Sequence, residues 1–226
     1  MAARPSSAAI AAGTQTQAAR LIEPQTIIAH ELAHAHRPII TTNFRPGAIV
    51  LIHMVVQERA DIPVVWIDSG YNRPETYRYI ERMRHRLDLN LKTYLPRRSK
   101  AHRDALDNAR IPNVEDDDFE KFAEEVKLEP FDRALREITP DVWFTGIRAD
   151  QNRFRRELGV TSEGPYGIKK VAPLHHWHPR DLHRYLIVHD LEDNSEYFDP
   201  TKPEPHLECG VQLLGKPGYF SNGSGI

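Results

Sequence analysis

Two short apolar runs, each stopped by small hydrogen-bonding residues and each followed by a proline-led helical pattern, restrict what this chain can fold into. Residues 39–48 read Ile-Ile-Thr-Thr-Asn-Phe-Arg-Pro-Gly-Ala, and residues 62–77 read Ile-Pro-Val-Val-Trp-Ile-Asp-Ser-Gly-Tyr-Asn-Arg-Pro-Glu-Thr-Tyr. A continuous apolar run this short suits a strand buried on both faces of a parallel sheet. Proline is favoured in a first helical turn, where its missing N–H costs nothing. In open α/β sheets, ligands sit beyond the carboxyl ends of the strands, where helix N-termini present free N–H groups. Two such strand ends in one chain describe a nucleotide cradle.

The same alternation runs along most of the sequence. Leu21–His36 has helical spacing, Ile39–Thr42 is a strand, and Gly47–Arg59 is a helix with Ile49, Leu51, Ile52, Met54, Val55 and Val56 on its buried face. Strand Val64–Ile67, helix Thr76–Leu87 and strand Leu91–Leu95 follow. Residues 96–120 are polar and weakly periodic, and their acidic run Glu115–Asp118 reads as a solvated loop or a helix start. Glu129–Glu137 is helical, Val142–Thr145 a fourth strand, Lys170–Pro173 a fifth, and Pro179–His189 a helix. Strands alternating with helices imply right-handed crossovers and a doubly wound, mostly parallel α/β sheet. We expect a tail over residues 1–20, a nucleotide-binding domain over 21–190 and an irregular C-terminal segment over 191–226.

At 226 residues and 40% hydrophobic content, one substantial domain can form. A net charge of −2 gives no global attraction to nucleic acid or membrane, and no apolar run approaches a membrane span. Cys209 is the single cysteine, so an intrachain disulfide and a multi-cysteine iron–sulfur cluster are excluded for this chain, and a reducing, cytoplasmic setting is expected. The first 20 residues contain no acid and are rich in Ala, Ser, Thr and Gln. They read as a disordered tail, with an organelle transit peptide as the alternative.

Three segments carry candidate chemistry. Thr41, Thr42 and Asn43 offer two hydroxyls and an amide just before a helix N-terminus, suited either to a phosphate or to a plain N-cap. Asp68 offers a carboxylate to ribose hydroxyls or an adenine amine, and Gly70 permits close backbone approach. Arg148, Arg153, Arg155 and Arg156 fall directly after a strand, and guanidinium forks suit phosphate or sulfate. A salt-bridged surface helix is the alternative reading of that cluster. His30-Glu-Leu-Ala-His34 fits a zinc-protease pattern, but no third ligand is evident nearby, and position 40 is Ile. His175, His176 and His178 cluster beside the arginine segment, better suited to proton transfer or phosphate contact than to a metal.

Taken together, these segments resemble the sulfonucleotide (phosphoadenylyl-sulfate) reductases. Asp68-Ser-Gly-Tyr-Asn-Arg-Pro-Glu-Thr-Tyr77 is similar to their Asp-Thr-Gly-Tyr…Pro-Glu-Thr-Tyr element, and Lys127-Leu-Glu-Pro-Phe-Asp-Arg-Ala-Leu135 to their Lys-x-Glu-Pro helix. Trp143-Phe-Thr-Gly-Ile-Arg148 with Gln151 and Arg155 resembles their Gly-(Leu/Ile)-Arg-x-x-Gln-Ser-x-x-Arg element. Val171-Ala-Pro-Leu-His-His-Trp177 sits where the family has an apolar-Pro-Ile-x-x-Trp strand end. The resemblance runs from about residue 25 to 190 and implies an adenine-nucleotide α-hydrolase-like fold. It further implies that Thr41, Thr42, Asn43 and Phe44 contact the nucleotide's phosphates, and that Asp68, Ser69 and Gly70 lie beside ribose and adenine. Lys127 would join the substrate site, and Arg148, Gln151 and Arg155 would face the phosphosulfate.

Two departures from the family pattern stand out. The first loop has Thr-Thr-Asn-Phe-Arg-Pro where the family has Ser-x-Ser-Phe-Gly, so Arg45 adds charge beside the phosphates. The family's tail motif Glu-Cys-Gly-Leu-His appears as Glu208-Cys209-Gly210-Val211-Gln212, only 32 positions after Trp177. By that motif Cys209 would be the nucleophile, taking the sulfonate as a thiosulfonate before thioredoxin or glutaredoxin releases sulfite; the alternative is an incidental cysteine. The resemblance implies phosphoadenylyl sulfate as substrate, no tightly bound cofactor and no iron–sulfur cluster, and leaves room for a homodimer. An ATP-dependent adenylyltransferase or sulfur-insertion enzyme, or a nucleotide-binding module, are the competing functions.

Overall fold

The computed structural model describes residues 24–201. A helix at 24–34 (α1) leads into β1 (Pro38–Thr42), α2 (Ala48–Glu58), β2 (Val64–Ile67), α3 (Pro74–Arg86) and β3 (Leu91–Tyr94). Next come α4 (Lys100–Asp107), α5 (Phe119–Ala123), a π-helical turn (Glu124–Leu128), α6 (Glu129–Ile138) and β4 (Val142–Phe144). Then follow α7 (Arg153–Glu157), β5 (Thr161–Glu163), β6 (Lys169–Val171) and α8 (Pro179–Val188). The six strands form one sheet in the order β3-β2-β1-β4-β6-β5. All neighbours are parallel except β5, which runs antiparallel to β6. This is the doubly wound sheet expected. From β1 the chain winds outward through β2 and β3, then returns to the opposite side with β4, so the strand order reverses between β1 and β4. That reversal opens a crevice at the carboxyl edge.

Period-two alternation divides the buried strands between two cores. Ile40, Val64, Trp66, Val142 and Phe144 pack with Ile28 of α1, with α2, with Tyr79, Ile80 and Met83 of α3, and with Leu182, Tyr185 and Leu186 of α8. Ile39, Val65, Ile67 and Trp143 face the other way, onto Phe131, Ala134 and Leu135 of α6. Burial on both faces explains why these strands are continuous apolar runs.

Three elements escape the periodicity. Helix α4 lies within the segment that reads as polar and weakly periodic, and its one buried residue is Arg103. It is set instead by its caps: Ser99 Oγ accepts from the His102 N–H at 3.2 Å, and Asn108 closes the helix in the left-handed region. Strand β5 is three residues long with mostly exposed side chains, so no apolar alternation marks it. The π-turn puts Val126, Lys127 and Leu128 successively into the interior, where an α-helix would rotate one of them outward. Among the described residues no helix is long and apolar enough to cross a membrane.

Candidate functional site

The loop after β1 is built by its own side chains. Thr42 Oγ1 accepts the Phe44 N–H at 3.0 Å and Asn43 Oδ1 accepts the Arg45 N–H at 3.1 Å, each bond spanning two residues. Phe44 takes a left-handed φ of 52°. The turn ends at Gly47, with φ 78°, which caps α2. That φ favours glycine, and a Cβ there would also come within 2.8 Å of Leu182 Cδ1, so a larger residue would push the leucine aside.

Across the crevice, the segment after β4 is folded around Gln151. Gln151 Oε1 accepts the Arg148 N–H at 3.1 Å and a hydrogen bond from the Arg155 guanidinium. Asn152 Oδ1 accepts the Arg155 N–H at 2.8 Å and starts α7. Arg155 is 3% exposed. Burial disfavours the charged form of Arg148 and lowers its pKa, an effect that Arg155 adds to and the Asp150 carboxylate, 3.2 Å away, opposes. Two largely buried guanidinium groups share this wall, and guanidinium forks suit an anion.

Between these walls lies a cleft lined by Thr41, Thr42, Asn43, Arg45, Thr145, Arg148 and Arg155, together with Gly47 and Ala48 at the N-terminus of α2. A second cavity opens beyond β2 and shares Asn43; Ser69, Asn72, Lys127, Tyr197 and Asp199 line it. The two cavities therefore lie on one edge of the sheet.

The residues singled out from sequence fall into different places. Thr41, Thr42, Asn43, Arg148 and Arg155 line the first cavity; Asn43, Ser69 and Lys127 line the second. The Thr41 hydroxyl accepts the Trp143 indole N–H at 2.6 Å. Phe44 does not turn its ring to the cleft: it is fully buried, edge-on to Trp66 and Tyr79, and offers only backbone to the loop. Asp68 works as a hub, its Oδ1 accepting from the Gly70 N–H at 2.9 Å, Asn72 Nδ2 at 3.2 Å and Tyr77 Oη at 2.8 Å. Burial and that bond to Asp68 push the Tyr77 phenol up. Gly70, with φ 84°, closes the Asp68 turn, and the neighbour nearest to a Cβ there is Lys100. Gln151 buttresses the two arginines. The three histidines part company: His175 is buried, His176 and His178 are exposed. Cys209 lies outside the described residues, as do Leu21 and the tail.

The segment 190–201 was legible only as irregular, and it contributes most of the residues that sequence reasoning missed. It crosses the sheet edge as a strap. Asp193 accepts the Gly47 N–H at 2.8 Å, Asn194 Nδ2 donates to the Phe44 carbonyl at 2.7 Å, and Glu196 pairs with Arg73 at 3.0 Å. Asn43 Nδ2 donates to Tyr197 Oη at 2.8 Å, and Tyr197 Oη donates in turn to Asp199 at 3.1 Å. The Lys127 ammonium lies 2.5 Å from Asp199 Oδ2, both side chains 8% exposed. Burial works to raise the Asp199 pKa, but the Lys127 charge, its hydrogen bond and those from Thr201 outweigh it and hold the carboxyl down to about 2. The density of acids at 190–199 was the one signal available in sequence.

The helix carrying His30 and His34 is α1, where Glu31 is buried and pairs with Lys169 at 2.7 Å. Among the described residues no three His, Cys, Asp or Glu side chains converge as a metal site requires.

A reversal-point crevice holding hydroxyls, amides and buried guanidinium groups on a sheet of adenine-nucleotide α-hydrolase-like topology defines a nucleotide-binding α/β protein. The family model described as phosphoadenosine phosphosulfate reductase domain matches residues 37–200. A phosphoadenosine 5'-phosphosulfate reductase from Synechococcus sp. is 36% identical over 155 residues, covering 68% of this chain and 66% of that relative. Among solved structures, the phosphoadenylyl-sulfate reductase of Candida auris, a phosphate complex, is similar over 100% of both chains, with a TM-score of 0.65 and 19% identity. Candida glabrata FMN adenylyltransferase is similar over 76% of this chain and 55% of that one, with a TM-score of 0.55 and 15% identity. The two structures speak to fold alone. The chain belongs to the phosphoadenosine phosphosulfate reductase family, oxidoreductases of sulfate assimilation, and spans about two thirds of the length of the Synechococcus relative.

Proposed function

We propose that this chain is a phosphoadenylyl-sulfate reductase working through Cys209 and a thioredoxin or glutaredoxin in a reducing, cytoplasmic compartment. The observation that carries the reading is the meeting of Thr42, Asn43, Arg148 and Arg155 on one cleft at the strand-order reversal. In this reading the loop Thr41–Phe44 and the α2 N-terminus hold phosphate, and Arg148 and Arg155 hold the phosphosulfate, with Gln151 fixing both. Asp68, Ser69 and Gly70 shape the nucleoside side, with Lys127 at the second cavity.

The Cys209 thiolate attacks the sulfur of the phosphosulfate. An S–S bond forms, the S–O bond to phosphate breaks, and adenosine 3',5'-bisphosphate leaves. Positive charge from Arg148 and Arg155 offsets the charge that develops on the departing phosphate. One thiol of reduced thioredoxin then attacks Cys209 Sγ and expels sulfite, and its second thiol resolves the mixed disulfide. Cys209 is thereby regenerated, thioredoxin is oxidised and the sulfur has gained two electrons.

The test is sulfite release from phosphoadenylyl sulfate with reduced thioredoxin. Cys209→Ser is expected to abolish it, because an alcohol at neutral pH is far less nucleophilic than a thiolate, while nucleotide binding stays intact. A chain stabilised against heat by ATP but not by phosphoadenylyl sulfate, with Cys209→Ser indistinguishable from the parent, would favour adenylyl transfer or a binding module instead.

A further inference from the structure

One buried imidazole beside the arginine wall has no role in the chemistry above. His175 is 4% exposed and follows β6 in the turn that carries Leu174 to the first cleft. Its Nε2 lies 3.0 Å from the Arg155 carbonyl oxygen. A carbonyl only accepts, so Nε2 carries a proton and donates it to Arg155. Among the described residues Nδ1 has no hydrogen-bond partner. The His175 carbonyl, meanwhile, accepts the Ala149 N–H at 2.8 Å.

His175 therefore grips the arginine segment at two points six residues apart. The backbone holds position 149 and the ring holds position 155, with Arg148, Gln151 and Asn152 in or beside the span between. Helix α7 is only five residues long and cannot be stable by itself. Apart from the His175 ring, its Arg155 carbonyl is met by the Leu158 N–H at 3.3 Å. A phenyl ring of similar size would fill the site without burying an unpaired nitrogen. What it lacks is the ring N–H that donates to the Arg155 carbonyl.

We infer that His175 is a positioning residue that clamps the Arg155 backbone through Nε2–H, and through it aims the Arg155 guanidinium at the anion in the cleft. The inference rests on the function proposed above.

Three variants separate the hydrogen bond from simple packing. His175→Gln puts an amide N–H near the position of Nε2; His175→Asn puts it near Nδ1; His175→Phe keeps a ring and removes the donor. The expected result is a KM for phosphoadenylyl sulfate raised about five- to tenfold in the Phe and Asn variants, with Gln within about twofold of the parent. Amide hydrogen exchange of the unliganded protein should quicken across residues 149–158 in Phe and Asn but not in Gln. Equal KM and equal exchange in all three variants would overturn the clamp, as would a Gln variant as impaired as Phe. The Asn–Gln comparison decides the matter if Phe does not fold. The exchange measurement needs no substrate: a parent that does not turn over phosphoadenylyl sulfate defeats the function, while unchanged exchange in Asn defeats the clamp.

Discussion

The two cavities on the sheet edge are made in different ways. The loops of the first are turned mainly by bonds between near neighbours in sequence, Thr42 to Phe44, Asn43 to Arg45, Gln151 to Arg148 and Arg155, Asn152 to Arg155, with Thr41–Trp143, Gly47–Asp193 and Arg155–His175 as its distant ties. The second is closed by a strap whose bonds join residues far apart: Asn43 to Tyr197 and Lys127 to Asp199 at the cavity, Phe44 to Asn194 and Arg73 to Glu196 beside it. A wall made of local turns is specified wherever its short motif occurs. A wall made by a docked strap exists only once the rest of the domain has folded beneath it, and its strength depends on how dry each contact is. Lys127–Asp199 is dry, whereas Arg73–Glu196 and Arg82–Glu192 are half in solvent.

Four measurements would break or sharpen that contrast. The largest effect is expected at the buried pair: Lys127→Met takes the ammonium away from the buried Asp199 carboxylate and should cost ~3–5 kcal/mol of folding stability in denaturant titration. A loss below about 1 kcal/mol would mean that the strap is not a structural part of the second cavity. Arg155→Ala should weaken nucleotide binding by ~1.5–3 kcal/mol, tenfold or more by calorimetry, with the second cavity untouched. Unchanged affinity would remove the arginine wall from the binding site.

The third measurement is acid unfolding. The folded Asp199 pKa of about 2 lies below its ordinary value of 3.8, so the pair's contribution is fully present above about pH 4 and is lost as pH falls through about 2. A shift of that size corresponds to about 2 kcal/mol, and Asp199→Asn should flatten that part of the stability–pH curve. A variant with the same slope as the parent would assign acid sensitivity elsewhere. Smallest is the exposed pair: Arg73→Gln should change stability by no more than ~1 kcal/mol and less still at high salt. A larger loss would show that the rim of the strap is as important as its buried end.

Much of the first cavity could be read directly. The runs at 39–42, 64–67 and 142–145, the glycines and prolines after them and the Arg148–Gln151–Arg155 spacing all encode local geometry, and the three strands appear within one residue of where the pattern puts them. Phe44 shows the limit of motif reading: its neighbours line the cleft, but the left-handed turn at its own position sends the ring into the core. Asp68 is similar, a carboxylate whose first task in the fold is to organise Gly70, Asn72 and Tyr77. Helix α4 was hidden because its inward side chain is an arginine, which carries no apolar signal.

By itself the sequence determined the doubly wound sheet, its two-sided core and the loop chemistry at the strand ends, because these follow from period, turn preference and short-range hydrogen bonds. Only the tertiary structure decided that residues 190–201 lie across the edge of that sheet, that Lys127 meets Asp199, and that His175 rather than His176 turns inward to Arg155. Those contacts join positions 20 to more than 100 residues apart, and no local preference records which distant partner a polar side chain will find when folding removes it from water.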